Sequence, residues 1–215
     1  MIEPMRRESS TLVVLVGELG EGLLTELGRS GNVSVARVPA AAVGTGQPGT
    51  TETASGGPAP ARPGWEAGAA AMREAAGRQS TYVIVPEDPL AGVASAWRAM
   101  WDVTGGPATA AGFEESSAEA LAAWRDKQFE LPDYYLVLAR PGGTGPDLYL
   151  GPLRAARQRR VALAVTGSGD TQATRVRAAL RSLEHGPWWP PLDELIDVAR
   201  RFYAGGLAET QAAVG

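Results

Sequence analysis

Two stretches of this sequence hold residue types that could do chemistry. In the first, DLYLGPLRAARQRRVALAVTGSGDT (Asp147 to Thr171), Tyr149 offers a phenol as proton donor and Arg154 a cation. Such a donor works when it lies within hydrogen-bond reach of its substrate and a neighbour tunes its pKa. Side chains four residues apart share a helix face, but Leu153 stands four positions after Tyr149 and Arg154 lies one step further round. A guanidinium is also planar, permanently charged and different in reach from an ammonium, so Arg154 is a poor substitute for a lysine. Thr144 and Tyr134 are the hydroxyls that could complete an unorthodox site. In the second stretch, VVLVGELGEGLL, Gly17, Gly20 and Gly22 separate an apolar run from a helical segment. Glycines so placed permit a tight turn and bring backbone amides up to a pyrophosphate at a helix N-terminus. Glu18 and Glu21, however, put two carboxylates where the phosphates would lie.

Composition narrows the alternatives. The 215 residues suit one sizeable α/β domain, and 44% hydrophobic content is enough for a real core. Without cysteine there are no disulfides, no thiolate catalysis and no cysteine metal site, and the single His185 cannot build a multi-histidine centre. No metal site is expected. The net charge of -4 argues against nucleic acid or an anionic membrane as the main partner. Arg154, Arg157, Arg159 and Arg160 cluster locally and read as a solvated helix face. No apolar run reaches membrane-spanning length, and TLVVLV reads as a core strand rather than a signal peptide, so a soluble cytoplasmic protein is expected.

The elements that would position these residues alternate along the chain. Short apolar, β-branched runs predict strands at Thr11 to Val16, Val33 to Val38, Thr81 to Val85, Tyr134 to Ala139 and Val161 to Val165. Helices are predicted over Gly20 to Leu27, Trp65 to Gly77, Pro89 to Trp101, Glu114 to Arg125, Tyr149 to Arg160, Thr171 to Leu183 and Pro191 to Phe202, with Thr171 as an N-cap. Trp97, Met100, Trp101 and Trp124 read as core or helix–helix contacts; for the adjacent Trp188 and Trp189 two readings stand, at least one partly exposed at an interface or both packed on neighbouring helices. Residues 40–64, rich in Ala, Gly, Pro, Thr and Ser, read as a flexible insertion, since they bury too little to offset their ordering entropy. The expected organisation is an N-terminal tail over 1–10, one domain over 11–205 and a C-terminal tail over 206–215. Strand–helix alternation predicts an α/β, doubly wound parallel sheet, Rossmann-like, in a single domain.

In segment order the chain resembles the short-chain dehydrogenase/reductase family, in a degenerate form lacking its Tyr-x-x-x-Lys pair. LAGVASAWRAMWDVTGGPATAA is similar to the family's helix ending in Asp-Val-Asn-x-x-Gly-Pro, with Thr104 where the relay Asn would be. VPEDP, Val85 to Pro89, falls where the family has Asn-Asn-Ala-Gly, and Glu87 and Asp88 add charge beside the implied nicotinamide site. Ala139, Arg140 and Pro141 stand where a catalytic Ser is implied. Aligned on Arg-Ala-Ala, the next helix has Leu150 at the Tyr position and Arg154 at the Lys position. Gly167 and Thr171 keep the spacing of the family's closing loop, with Thr166 in place of its Pro. Arg37 matches the cation that NADP-specific members hold for the 2'-phosphate. The short helix after Tyr149 puts the family's usual dimer interface in question.

The resemblance therefore implies a pseudoenzyme: a structural or regulatory subunit of a heteromeric oxidoreductase, partnered by an active short-chain dehydrogenase paralogue. It implies no bound cofactor; NADP is the one that Gly17, Gly20, Gly22 and Arg37 would hold. One alternative is an active NADP-dependent reductase or isomerase built on Tyr149, Arg154 and Thr144. The other is an α/β binding module sharing only common βαβ grammar, and a strand order unlike that of the dinucleotide fold would favour it.

Overall fold

The computed structural model describes residues 10–36, 65–101, 107–138, 147–164 and 171–214. Its five strands are the five apolar runs: β1 (Thr11–Val16), β2 (Val33–Val35), β3 (Tyr82–Val85), β4 (Tyr134–Leu138) and β5 (Val161–Ala164). All pair in parallel. Parallel sheets need both faces covered, and here alternate strand residues feed two cores. Val13, Leu15, Ile84, Leu136 and Leu138 pack under α1 (Leu23–Gly28) and α6 (Gln172–Arg181). Leu12, Val14, Val83, Val85, Tyr135 and Val137 pack under α2 (Trp65–Ala76), α3 (Ala91–Met100), α4 (Pro107–Arg125) and α7 (Leu192–Val214). The expected α/β architecture, a doubly wound parallel sheet in a Rossmann-like single domain, is the one observed.

The order within the sheet is β2-β3-β1-β4-β5. The dinucleotide fold runs 3-2-1-4-5-6, with its second strand beside its first. Here β3 takes that place: Thr11 lies opposite Tyr82 and Val14 opposite Val85. The chain leaves β1 towards one face and β3 towards the other, so the topological switch point lies between these two neighbours. Ligands of open α/β sheets bind in the crevice outside the carboxyl ends of the strands at such a point.

Four segments depart from expectation. The helix expected from Glu114 begins at Pro107, a proline suiting the first helical position, where its missing N–H costs nothing. Tyr149 to Arg160 is not one helix but a π turn (Tyr149–Leu153), a single α turn, α5 (Arg154–Ala156), and a 3₁₀ turn (Gln158–Arg160). Pro152 is the cause. It has no N–H for the carbonyl of Leu148, so Leu153 donates to that oxygen instead, at 3.0 Å, and the turn widens. The last helix runs on past Phe202 to Val214, through the expected tail. Gly205 and Gly206 would ordinarily stop it, but any β-carbon on Gly206 would collide with the Trp101 ring, so the glycine lets α7 lie against α3. The arginine cluster, finally, is not a solvated helix face throughout. Arg160 is buried, donating to the carbonyls of Asp133, Gly186 and Pro187. The expected insertion over 40–64 lies outside the described residues.

One close approach holds the switch-point turn. Gly68 of α2 meets the backbone of Asp88 and Pro89, where a β-carbon would overlap Pro89. Gly68→Ala is therefore expected to destabilise the protein by about 3 kcal/mol in urea unfolding, the upper end of overpacking costs. Gly112→Ala, in α4 with open space around its β-carbon position, should instead stabilise by up to about 1 kcal/mol.

Candidate functional site

The crevice at the switch point has two walls. The first is the glycine turn after β1. Gly17 has φ 119°, and a β-carbon there would lie 2.8 Å from the carbonyl oxygen of Leu138. Gly22, at φ 77°, opens α1. Both conformations favour glycine. These two residues are five apart, the glycine spacing of the phosphate-cradling G-x-x-x-x-G-K-[ST] loop. The Lys and Ser/Thr positions hold Leu23, which is buried, and Leu24. A reading of Gly17, Gly20 and Gly22 as a dinucleotide triplet passes over this spacing, although it is visible in the sequence. The Gly20 amide donates to the Gln172 carboxamide at 2.8 Å, and the Gln172 amide donates back to the Glu18 carbonyl at 2.7 Å. The first residue of α6, behind its Thr171 cap, thus holds the donor that a phosphate would need. With Glu18 and Glu21 beside it and no lysine, this turn does not fit a pyrophosphate. Arg37 lies outside the described residues.

The second wall is the turn after β3, and it leads to the least ordinary group in the protein. Asp88 is buried in the apolar core between the sheet and the helices. Its Oδ1 accepts from the Leu90 amide at 2.9 Å and from the Tyr135 hydroxyl at 3.2 Å, and its Oδ2 from the Tyr149 hydroxyl. Each donor has its own source. Leu90 precedes α3, Tyr135 is on the core-facing side of β4, and Tyr149 begins the π turn, where the Asp147 carboxylate caps the Tyr149 and Leu150 amides at 2.8 and 3.1 Å. The two phenol rings lean together with centroids 5.1 Å apart. Burial pushes the Asp88 carboxyl up to about 6 against the opposing pull of its hydrogen bonds, Tyr149 foremost. Both tyrosines, through burial and then the neighbouring carboxylate, are held well above the ordinary phenol value. Glu87, half-buried alongside, is also raised by desolvation, and its Oε2 has no hydrogen-bond partner among the described residues.

Of the residues singled out in the sequence, the structure gathers Gly17, Gly20 and Gly22 in one turn. It places Tyr149 in the core with Asp88. Arg154 is on α5, half-buried, and its side chain makes no hydrogen bond or ion pair among the described residues. Thr104 and Thr144 fall outside the described residues. Tyr134 faces the opposite core and donates to the Glu184 carbonyl at 3.1 Å. Sequence reading missed Asp88 and Tyr135 as partners of Tyr149, being 61 and 47 positions distant from Tyr149 and Asp88 in turn. Among the described residues no group of three acidic or histidine side chains could hold a metal, and no helix is long and apolar enough to cross a membrane. Comparison with protein-family models, with curated proteins and with solved structures gave no match.

The Asp88 cluster makes stability depend on pH. Its folded pKa is above the ordinary value of 3.8, so the stability linked to it is fully present below about pH 4 and is lost as pH rises through about 6. At about 1.4 kcal/mol per pH unit the displacement corresponds to about 3 kcal/mol. Asp88→Asn cannot ionise. The unfolding free energy of this variant relative to wild type is therefore expected to rise by about 2 kcal/mol between about pH 4 and 7. A flat difference across that range would contradict the assignment. Glu114, whose carboxyl is lowered by the Arg200 hydrogen bond, pulls the other way in both proteins and cancels in the difference.

Proposed function

We propose that this chain is a non-catalytic α/β binding module that serves as a structural or regulatory subunit of a larger assembly. The observation that carries this reading is the fate of the Tyr149 hydroxyl. A phenol that protonates substrate needs a neighbour that eases its ionisation and a path to that substrate. Tyr149 is buried, its hydroxyl donates to Asp88, and the carboxylate opposes its ionisation. The second support is the glycine turn, whose Gly20 amide is held by Gln172 and whose flanking charges are acidic. The strand order supports a binding module over the oxidoreductase reading. In that light the likeness to short-chain dehydrogenases rests on segment order alone, and an active dehydrogenase paralogue becomes one partner class among others. No observation favours the active NADP-dependent reductase or isomerase.

The test is a titration of the full chain with NADPH, followed by the cofactor's own fluorescence. No saturable change is expected up to millimolar NADPH, and Arg37→Glu should leave the trace unchanged. Saturable binding that Arg37→Glu abolishes would overturn the proposal. So would a stable monomer that co-purifies with no other protein from its native cells.

A further inference from the structure

The segment HGPWWPP after α6 divides its two tryptophans. Trp189 turns inward, its indole N–H donating to the Pro132 carbonyl at 2.7 Å and its ring 5.8 Å from that of Tyr135. Trp188 turns outward and is 71% exposed, the largest apolar side chain so presented among the described residues. It is not a loose side chain on a loose loop. Arg157 donates to the Trp188 carbonyl at 2.8 Å, Arg159 to that of His185 at 3.2 Å, and Arg160 to those of Gly186 and Pro187 at 2.7 and 3.1 Å. The Arg160 guanidinium lies between two rings, 5.0 Å from the Tyr134 centroid and 4.7 Å from that of Trp188. One face of the indole therefore rests on a cation and the other faces water. Pro187, Pro190 and Pro191 further restrict the backbone.

This arrangement has the marks of an association hot spot. A large aromatic is held in one orientation before binding, so little ordering entropy remains to be lost when a partner covers it. Tryptophan and arginine are also the residue types that dominate such spots. Carbonyl oxygens satisfy the arginines without neutralising them, and among the described residues only Arg159 has an ion-pair partner, Glu184 at 3.2 Å. Arg160 is buried beneath the ring and Arg159 is paired, so Arg157 and Arg159 supply the accessible positive charge, in a chain whose net charge is -4.

We propose that Trp188, with Arg157, Arg159 and Arg160 beneath and beside it, is a docking surface for an extended, carboxylate-bearing segment of a partner protein. An apolar residue of that segment covers the free face of the indole, and its flanking carboxylates meet Arg157 and Arg159, while the buried Arg160 backs the ring. The proposal rests on the reading of the chain as a binding module and names the chemistry of its partner. The surface lies on the 3₁₀ turn before β5 and the loop before α7, not on the glycine turn, so its test is independent of the cofactor titration.

The probe is a short fluorescein-labelled peptide alternating glutamate with leucine and proline, followed by anisotropy with the full chain. Binding is expected, weakening as salt is raised. Trp188→Ala should weaken it about tenfold or more while leaving the unfolding midpoint almost unchanged, because the side chain is exposed. The same peptide with lysine for glutamate should not bind. The proposal is overturned if the acidic peptide does not bind, if Trp188→Ala binds it equally well, or if a single-stranded oligonucleotide competes more strongly than the unlabelled peptide. A chain that binds neither peptide nor NADPH removes this surface alone. One that binds NADPH through Arg37 and ignores the peptide removes the binding-module reading with it.

Discussion

A carboxylate inside an apolar core must be paired, hydrogen-bonded or neutral, because water no longer solvates its charge. Asp88 is the point at which this protein meets that constraint, and several elements depend on the solution. The Leu90 amide holds the turn from β3 into α3, Tyr135 ties the turn to β4, and Tyr149 ties it to the π turn. Gly68 brings α2 onto the backbone of the same turn, leaving no room for a β-carbon. Removing one donor leaves a buried oxygen short of a partner, at a cost of about 1–3 kcal/mol or more. Four segments distant in sequence are thereby placed relative to one carboxyl group.

The same bonds set the chemical character of the crevice. A tyrosine used as an acid is made easier to ionise by a nearby cation; here a carboxylate occupies that place and the effect is reversed. On the opposite wall, Gln172 binds the glycine turn through both ends of its carboxamide. On one wall Asp88, Tyr135 and Tyr149, and on the other the Gly20 amide, thus bond within the protein itself. What the fold offers outward is Trp188 on its arginine base, held by backbone carbonyls and, at Arg159, by the Glu184 carboxylate.

Strand positions were legible because β-branched apolar runs such as TLVVLV and YVIV have few alternatives to a buried strand. The Thr171 cap was legible for a local reason as well, a hydroxyl three residues before the amide it accepts from. The order of the strands was not, since β3 lies beside β1 through pairings about 70 residues apart that no local pattern records. The π turn could have been read from Pro152, because a missing donor inside a helical segment forces a local rearrangement. The extension of α7 could not, because Gly206 is required by the Trp101 ring, which its own neighbours do not reveal. For the site, Tyr149 drew attention by its type and position, whereas its partner in PEDP lies 61 residues earlier and reads in sequence only as a charged turn. The sequence left open whether one tryptophan is exposed or both pack on helices; Trp188 is exposed, and the direction each takes is set by Pro132, Tyr135 and Arg160, all distant in the chain.

The central claim is that the Tyr149 proton belongs to Asp88 and not to a reaction. The most direct measurement is a carbon-13 NMR titration of the full chain, following the Asp88 carboxyl carbon and the ring carbon bearing the Tyr149 hydroxyl. The account predicts that the carboxyl carbon titrates near pH 6 while the phenol carbon shows no ionisation below about pH 10, the ordinary range for tyrosine. A phenol carbon that titrates near neutral pH, with Asp88 ionised throughout, would contradict it.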